Sequence, residues 1–133
     1  MKKFNLYLLL LVSSTLLFSA CAPAAGRASV QYQAPSQEVI GAIAEIAVNM
    51  VPLSGYNYFS INSINDRFVT LQSDRTGGAS FLFGAKSLTL SFTALQNGDV
   101  TTLAANGDGS SDLVKATIKK ITSELDARFT RVN

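Results

Sequence analysis

Apolar and polar positions alternate along this chain with two distinct periods, and the changes of period mark its elements. Between residues 36 and 51, Val39, Ile43, Ile46 and Met50 recur at helical spacing, and Ile40, Ala47 and Val51 widen the stripe. Gln37, Glu38, Glu45 and Asn49 fall elsewhere around the cylinder, which predicts a helix with one buried face and one wet face. Ser36 suits the N-cap, Glu38 favours the positive end of the helix dipole, and Pro52 and Gly55 stop it.

The period then shortens to two. Tyr56 to Ile64 is rich in aromatic and β-branched residues and predicts a strand, with Phe59 and Ile61 on one face and Tyr58, Ser60 and Asn62 on the other. Asn65-Asp66 signals a turn, and Arg67 to Ser73 predicts a second strand. A loop that includes Arg67 places Ile61 opposite Leu71, so that apolar faces apolar; a loop one residue shorter opposes Ile61 with Thr70. Ser87 to Leu95 alternates most cleanly, with Leu88, Leu90, Phe92 and Ala94 inward and Ser87, Thr89, Ser91 and Thr93 outward. Asn97-Gly98 suits a type I′ turn, which sets Phe92 against Leu103 and Leu90 against Ala105.

Asp74 to Lys86 is less regular. Asp74 to Gly78 is a polar loop, and Ser80-Phe81-Leu82-Phe83 is an apolar run that opens the third strand, with Gly84 as a bulge and the run in the core. After an Asn106–Gly109 loop, Ser110 or Ser111 caps a final helix whose stripe is Val114, Ile118, Ile121 and Leu125, with Leu113 and Phe129 beside it. A sheet that alternates apolar with polar buries one face, and two amphipathic helices are present to cover it. The expected fold is therefore α+β, a two-layer sandwich of a four-stranded, mainly antiparallel sheet with both helices on one face, in the order α-β-β-β-β-α.

The N-terminus follows neither period. Lys2 and Lys3 precede an apolar run from Leu6 to Phe18, and Ser19, Ala20, Cys21 and Ala22 are small. Charge, short apolar run and small residues make a secretory signal over residues 1–20. The run is too short and too interrupted by Ser13, Ser14 and Thr15 to span a bilayer well, which takes roughly 20 clean apolar residues. Residues 22–34 are rich in Ala, Pro, Ser, Gly and Gln and read as a flexible tether, leaving residues 35–133 as a single domain.

Leu17-Phe18-Ser19-Ala20-Cys21 resembles the lipobox of bacterial lipoproteins, in which small residues precede a cysteine. The resemblance implies a diacylglycerol on the Cys21 sulfur, cleavage before Cys21 and further acylation of the new amino group. Phe18 stands three residues before the cysteine, where Leu is usual, and Leu17 is one position early. The alternative is a plain secreted protein cut after Ala20 or Ala24. The first cut leaves bulky Phe18 where that peptidase prefers a small residue, and the second sits beside Pro23. The order of elements also resembles that of small α/β envelope lipoproteins and, more loosely, the lipoprotein partner in lipopolysaccharide transport, without a shared motif. In a two-membrane bacterium, Ala22 after the lipidated cysteine implies the outer membrane, facing the periplasm.

Composition sharpens this picture. The chain has one cysteine, so no internal disulfide forms, and acylation removes a thiol that would be a liability in an oxidising compartment. The formal charge of +2 comes from Lys2 and Lys3; without the signal, basic and acidic residues balance at nine each. Nothing therefore points to nucleic acid.

No histidine is present, which removes Ser-His-Asp and Cys-His catalysis and nearly all zinc chemistry. The glycines around Gly78 and Gly84-Ala85-Lys86 have the wrong spacing for a phosphate loop. The alternation of Asn106, Asp108, Ser110 and Asp112 lacks the glycine and the closing glutamate of a calcium loop. No metal and no cofactor is expected, and no enzymatic activity. Two surfaces remain as candidates. One is an outward sheet face bearing Tyr56, Tyr58, Phe68, Thr89, Ser91 and Thr93, suited to a protein partner or a polymer. The other is Phe81, Leu82 and Phe83, an apolar contact if exposed. The expected function is a non-enzymatic, membrane-anchored envelope lipoprotein that binds a protein or envelope component. The alternative is a small-ligand or lipid carrier with a pocket between sheet and helices near Phe81–Phe83.

Overall fold

The computed structural model describes residues 29–84 and 86–132. The signal region, Leu17, Phe18, Ser19, Ala20 and Cys21 lie outside the described residues. The elements are β1 (Ser29–Tyr32), α1 (Ser36–Val48), β2 (Ser60–Ile64), β3 (Phe68–Asp74), α2 (Gly77–Phe83), β4 (Ser87–Asn97), β5 (Val100–Asp108) and α3 (Ser111–Arg128). The strands form one antiparallel sheet in the order β1-β5-β4-β3-β2. α1 crosses β2, β3 and β4 and touches α3, which lies over β5 and β4, so these two helices make the second layer.

The α+β, two-layer architecture thus holds, with five strands and three helices rather than four and two. The added strand comes from the stretch expected to be tether. Val30 is half-buried and Tyr32 fully buried, and they oppose Leu103 and Thr101. Two apolar residues two apart are too short a pattern to stand out, and the neighbouring β5 supplies the backbone partners that make them a strand. The C-terminal segment covers the outer edge of β1: Gln33 N–H donates to Thr130 O at 2.9 Å, and Val132 N–H to Gln31 O at 2.9 Å. An edge paired in this way does not template association.

The added helix replaces the expected start of the third strand. Residues 77–83 form α2, and Gly84, at φ 81°, is the C-cap just beyond it and not a strand bulge. A four-residue apolar run carries no periodicity, so strand and helix are equally open to it.

The core follows the predicted stripes. Val39, Ile40, Ile43, Ile46, Ala47 and Met50 of the α1 segment meet Val69, Leu71, Leu88, Leu90, Phe92, Ala94 and Leu103 of the sheet, with Ile121 and Leu125 of α3. Val51, at the end of the α1 stripe, is exposed. In the first hairpin Ile61 lies opposite Leu71, as expected, and an irregularity between Ile61 and Ser63 shifts the register by one residue nearer the turn. In the second hairpin the turn is Gly98-Asp99, not Asn97-Gly98, so Phe92 faces Ala105 and Ala94 faces Leu103. The shift is two residues, which keeps every inward side chain inward. Gly98 alone has positive φ there, at 61°, which is the demand of a turn with glycine at its first central position and not of type I′.

Neither of the long helices is capped by its own serine side chain. Ser36 is the first residue of α1, and its N–H donates to Gln96 Oε1 at 3.0 Å, so the tip of β4 supplies the cap from sixty residues away.

Candidate functional site

The outer face of the sheet is built by register. Phe68 pairs with Thr93, Thr70 with Ser91 and Gln72 with Thr89, and on the far side Thr93 meets Ala104 and Ser91 meets Asn106. Of the residues expected to form a partner face, Phe68, Thr89, Ser91 and Thr93 therefore do share it. The polar groups already engage one another: Asn62 Nδ2 donates to Gln72 Oε1 at 2.8 Å, and Gln72 Nε2 donates to Asp74 Oδ1 at 2.9 Å. Ser87 Oγ also donates to that carboxylate at 2.7 Å. These hydrogen bonds, Gln72 first and Ser87 second, hold the Asp74 carboxyl below its ordinary pKa. The centre of the surface is a ladder of hydroxyls and amides, with the carboxylates of Asp74 and Asp108 at the rim. It offers hydrogen bonds and no activated nucleophile.

Tyr56 and Tyr58 do not join this face, which corrects the expected set. The regular strand begins only at Ser60, so the alternation expected from Tyr56 onward does not apply. Tyr56 makes an isolated bridge to Arg75 and packs half-buried against the core. Tyr58 lies on the helix side, where it lines a shallow cleft of about 380 Å³ with Glu45, Met50 and Arg128. Arg128 Nη1 pairs with Glu45 Oε2 there at 2.9 Å.

Phe81, Leu82 and Phe83 are exposed, at 89%, 71% and 68%, and their expected place in the core is overturned. α2 has no buried residue. It stands at the end of the sheet, where the β3–β4 connection leaves from Asp74 and returns at Ser87. Arg75 holds it there: its Nη1 donates to Phe83 O at 2.7 Å and Gly84 O at 3.2 Å. Its guanidinium carbon lies 5.8 Å from the Phe83 ring centre and 5.7 Å from that of Tyr56. On the other side, Ser80 Oγ donates to Arg75 O at 3.2 Å. Arg75 escaped the sequence reading because its partners come from both sides of a turn and follow no local pattern.

A second cleft, about 610 Å³, separates α3 from β1 and β5. Val30, Leu103 and Ala105 form its floor, Val114 and Ile118 its wall, and Lys115, Lys119 and Arg131 stand at its rim. Neither of these two clefts is lined by Phe81, Leu82 or Phe83. The upper half of the α3 stripe borders this opening and is only half-buried. Among the described residues no three His, Cys, Asp or Glu side chains gather as a metal site. No helix among them is long and apolar enough to cross a membrane.

No family model and no curated protein matches the chain. Among solved structures it is similar to CalU16 from Micromonospora echinospora, at 17% identity, over 80% of this chain and 83% of that one. The TM-score of 0.43 is too low for that likeness to carry an argument.

Proposed function

We propose that this chain is a non-enzymatic envelope lipoprotein, held to a membrane by acyl chains on Cys21, whose folded domain binds a protein or envelope component. The observation that carries the reading is Leu17-Phe18-Ser19-Ala20-Cys21 after a charged and apolar leader. The absence of histidine supports the non-enzymatic part, as does the neutral hydrogen-bonding character of the Phe68-Thr89-Ser91-Thr93 face. More than one acyl chain gives stable attachment where a single chain is marginal. In a two-membrane bacterium the protein would sit in the outer membrane, facing the periplasm. The test is labelled palmitate fed to cells making the protein. Incorporation lost in Cys21→Ser, together with release from the membrane fraction, supports the anchor; unchanged membrane attachment in that variant refutes it.

The alternative of a lipid or small-ligand carrier draws support from one feature, the cleft beneath α3. Its apolar floor and cationic rim suit an amphiphile with an acidic head. Saturable binding of a fluorescent fatty acid, abolished by Ile118→Lys, would favour it.

A further inference from the structure

We propose that Phe81, Leu82 and Phe83 form a tip that inserts into the lipid surface to which Cys21 tethers the chain. This rests on the anchor reading and adds which end of the domain meets the bilayer. Three large apolar side chains in succession stand more than two-thirds exposed on a short helix that carries no charge of its own. A cluster of this size is unusual on a surface that faces only water. Arg75 fixes the helix through the Phe83 and Gly84 carbonyls and the Phe83 ring, so the exposure is built in.

The direction of β1 names the occupant. Ser29 lies level with Ala104, and β1 runs from there to Tyr32 at Thr101, away from the end of the sheet that holds Asp74, Ser87 and α2. Traced backward, the strand axis at Ser29 points to that end. The level of Ser87 is six residues along β4 from Thr93, which pairs with Ala104, or about 20 Å, and β1 lies two strands from β4, or about 10 Å. The straight distance is then about 22 Å. Eight residues from Cys21 to Ser29 reach at most about 28 Å. That length is therefore enough to bring an acylated Cys21 level with Ser87, at the end of the sheet that carries α2, without a reversal of course. The opposite end of the sheet presents the polar turns Asn65–Arg67 and Gln96–Asp99. Lipid at the α2 end would give the apolar tip the surroundings its composition favours and leave the outer sheet face and the α3 cleft in water.

The experiment uses the acylated full chain, extracted in detergent and reconstituted into phosphatidylethanolamine–phosphatidylglycerol vesicles. With Cys21 blocked by its acyl chain, Leu82→Cys and, as a control, Asp99→Cys each take one environment-sensitive fluorophore. A blue-shifted label at position 82 that is quenched by spin-labelled lipid, with the label at 99 neither shifted nor quenched, is expected. The double variant Phe81→Ser, Phe83→Ser, with an unchanged melting temperature, should reduce quenching at position 82 on the order of tenfold. Palmitate-labelled, vesicle-bound protein with no quenching at 82 overturns the tip and leaves the anchor standing. A blue shift at 82 without lipid quenching also overturns it, because a protein contact then covers the tip. Absence of palmitate on Cys21 refutes the anchor, and the tip falls with it.

Discussion

Tyr32 and Asp126 meet across the two layers, the phenol donating to Asp126 Oδ1 at 2.9 Å. Tyr32 is fully buried in β1, its ring centre 6.1 Å from that of Phe129. Asp126 also receives Arg131 Nη1 at 3.2 Å. The strand that follows the N-terminal segment is thus locked to the last turn of α3 and to the C-terminal segment beyond it. Burial and then the neighbouring carboxylate push the Tyr32 phenol well above its ordinary pKa.

The unfolded chain therefore loses this proton first, near the ordinary pH of about 10, while the folded chain keeps it. The contribution is complete below that pH and declines as pH rises beyond it. Tyr32→Phe keeps the ring and should lower stability by about 1–2 kcal/mol at pH 7. It should also flatten the alkaline decline. Urea melts between pH 7 and pH 11 check both; an alkaline limb equally steep in the variant would disprove the linkage.

At Gly107 the sheet backbone lies directly under Val114 of α3. A Cβ there would stand 2.7 Å from Val114 Cγ1, 2.8 Å from Leu90 Cδ2 and 3.0 Å from the Thr89 carbonyl oxygen. The two side chains can yield only by disturbing the helix contact and the core, and the carbonyl belongs to the ladder. Gly107→Ala should destabilise by about 1–3 kcal/mol, the usual range for overpacking. A denaturant midpoint equal to the parent's would show that the helix rides higher than described.

Arg75 secures α2 without contributing much to the rest of the fold. Arg75→Met keeps part of the stem and loses the guanidinium. Amide exchange over residues 77–83 should quicken by about 5–30-fold, matching the loss of about 1–2 kcal/mol of ring and carbonyl contacts. The global melting temperature should barely move, because α2 buries no residue. Equal acceleration throughout the sheet would place Arg75 in the core instead.

Periodicity carried most of the interior. The α1 stripe and the alternation of β4 are each set by which side chains must leave water, and the chain order of those side chains is enough to read them; Ile61 pairs with Leu71 as the spacing required, but stays exposed on the edge strand β2. The second hairpin shows the limit. Parity was legible, but the exact turn was not, because Asn97-Gly98 and Gly98-Asp99 place the same residues inward and differ only in backbone angles at Asn97 and Asp99.

The candidate sites divide in the same way. Phe68, Thr89, Ser91 and Thr93 share a face because strand alternation requires it. Tyr56 and Tyr58 leave that face because their segment precedes the regular strand, which local composition does not reveal. Ser36 looked like a cap and is instead capped by Gln96, a partner that exists only once β4 has folded beside α1.

The sequence by itself determined the single cysteine, the lack of histidine, and an α+β domain with two amphipathic helices over an alternating sheet, since each depends on residue type or spacing alone. Only the tertiary structure decided that residues 29–32 join the sheet and that Phe81, Leu82 and Phe83 stand in solvent. A short apolar stretch has no fate of its own. It is buried when another element supplies backbone partners and a covering face, as β5 and α3 do for Val30 and Tyr32, and it is left exposed when the fold ends before reaching it.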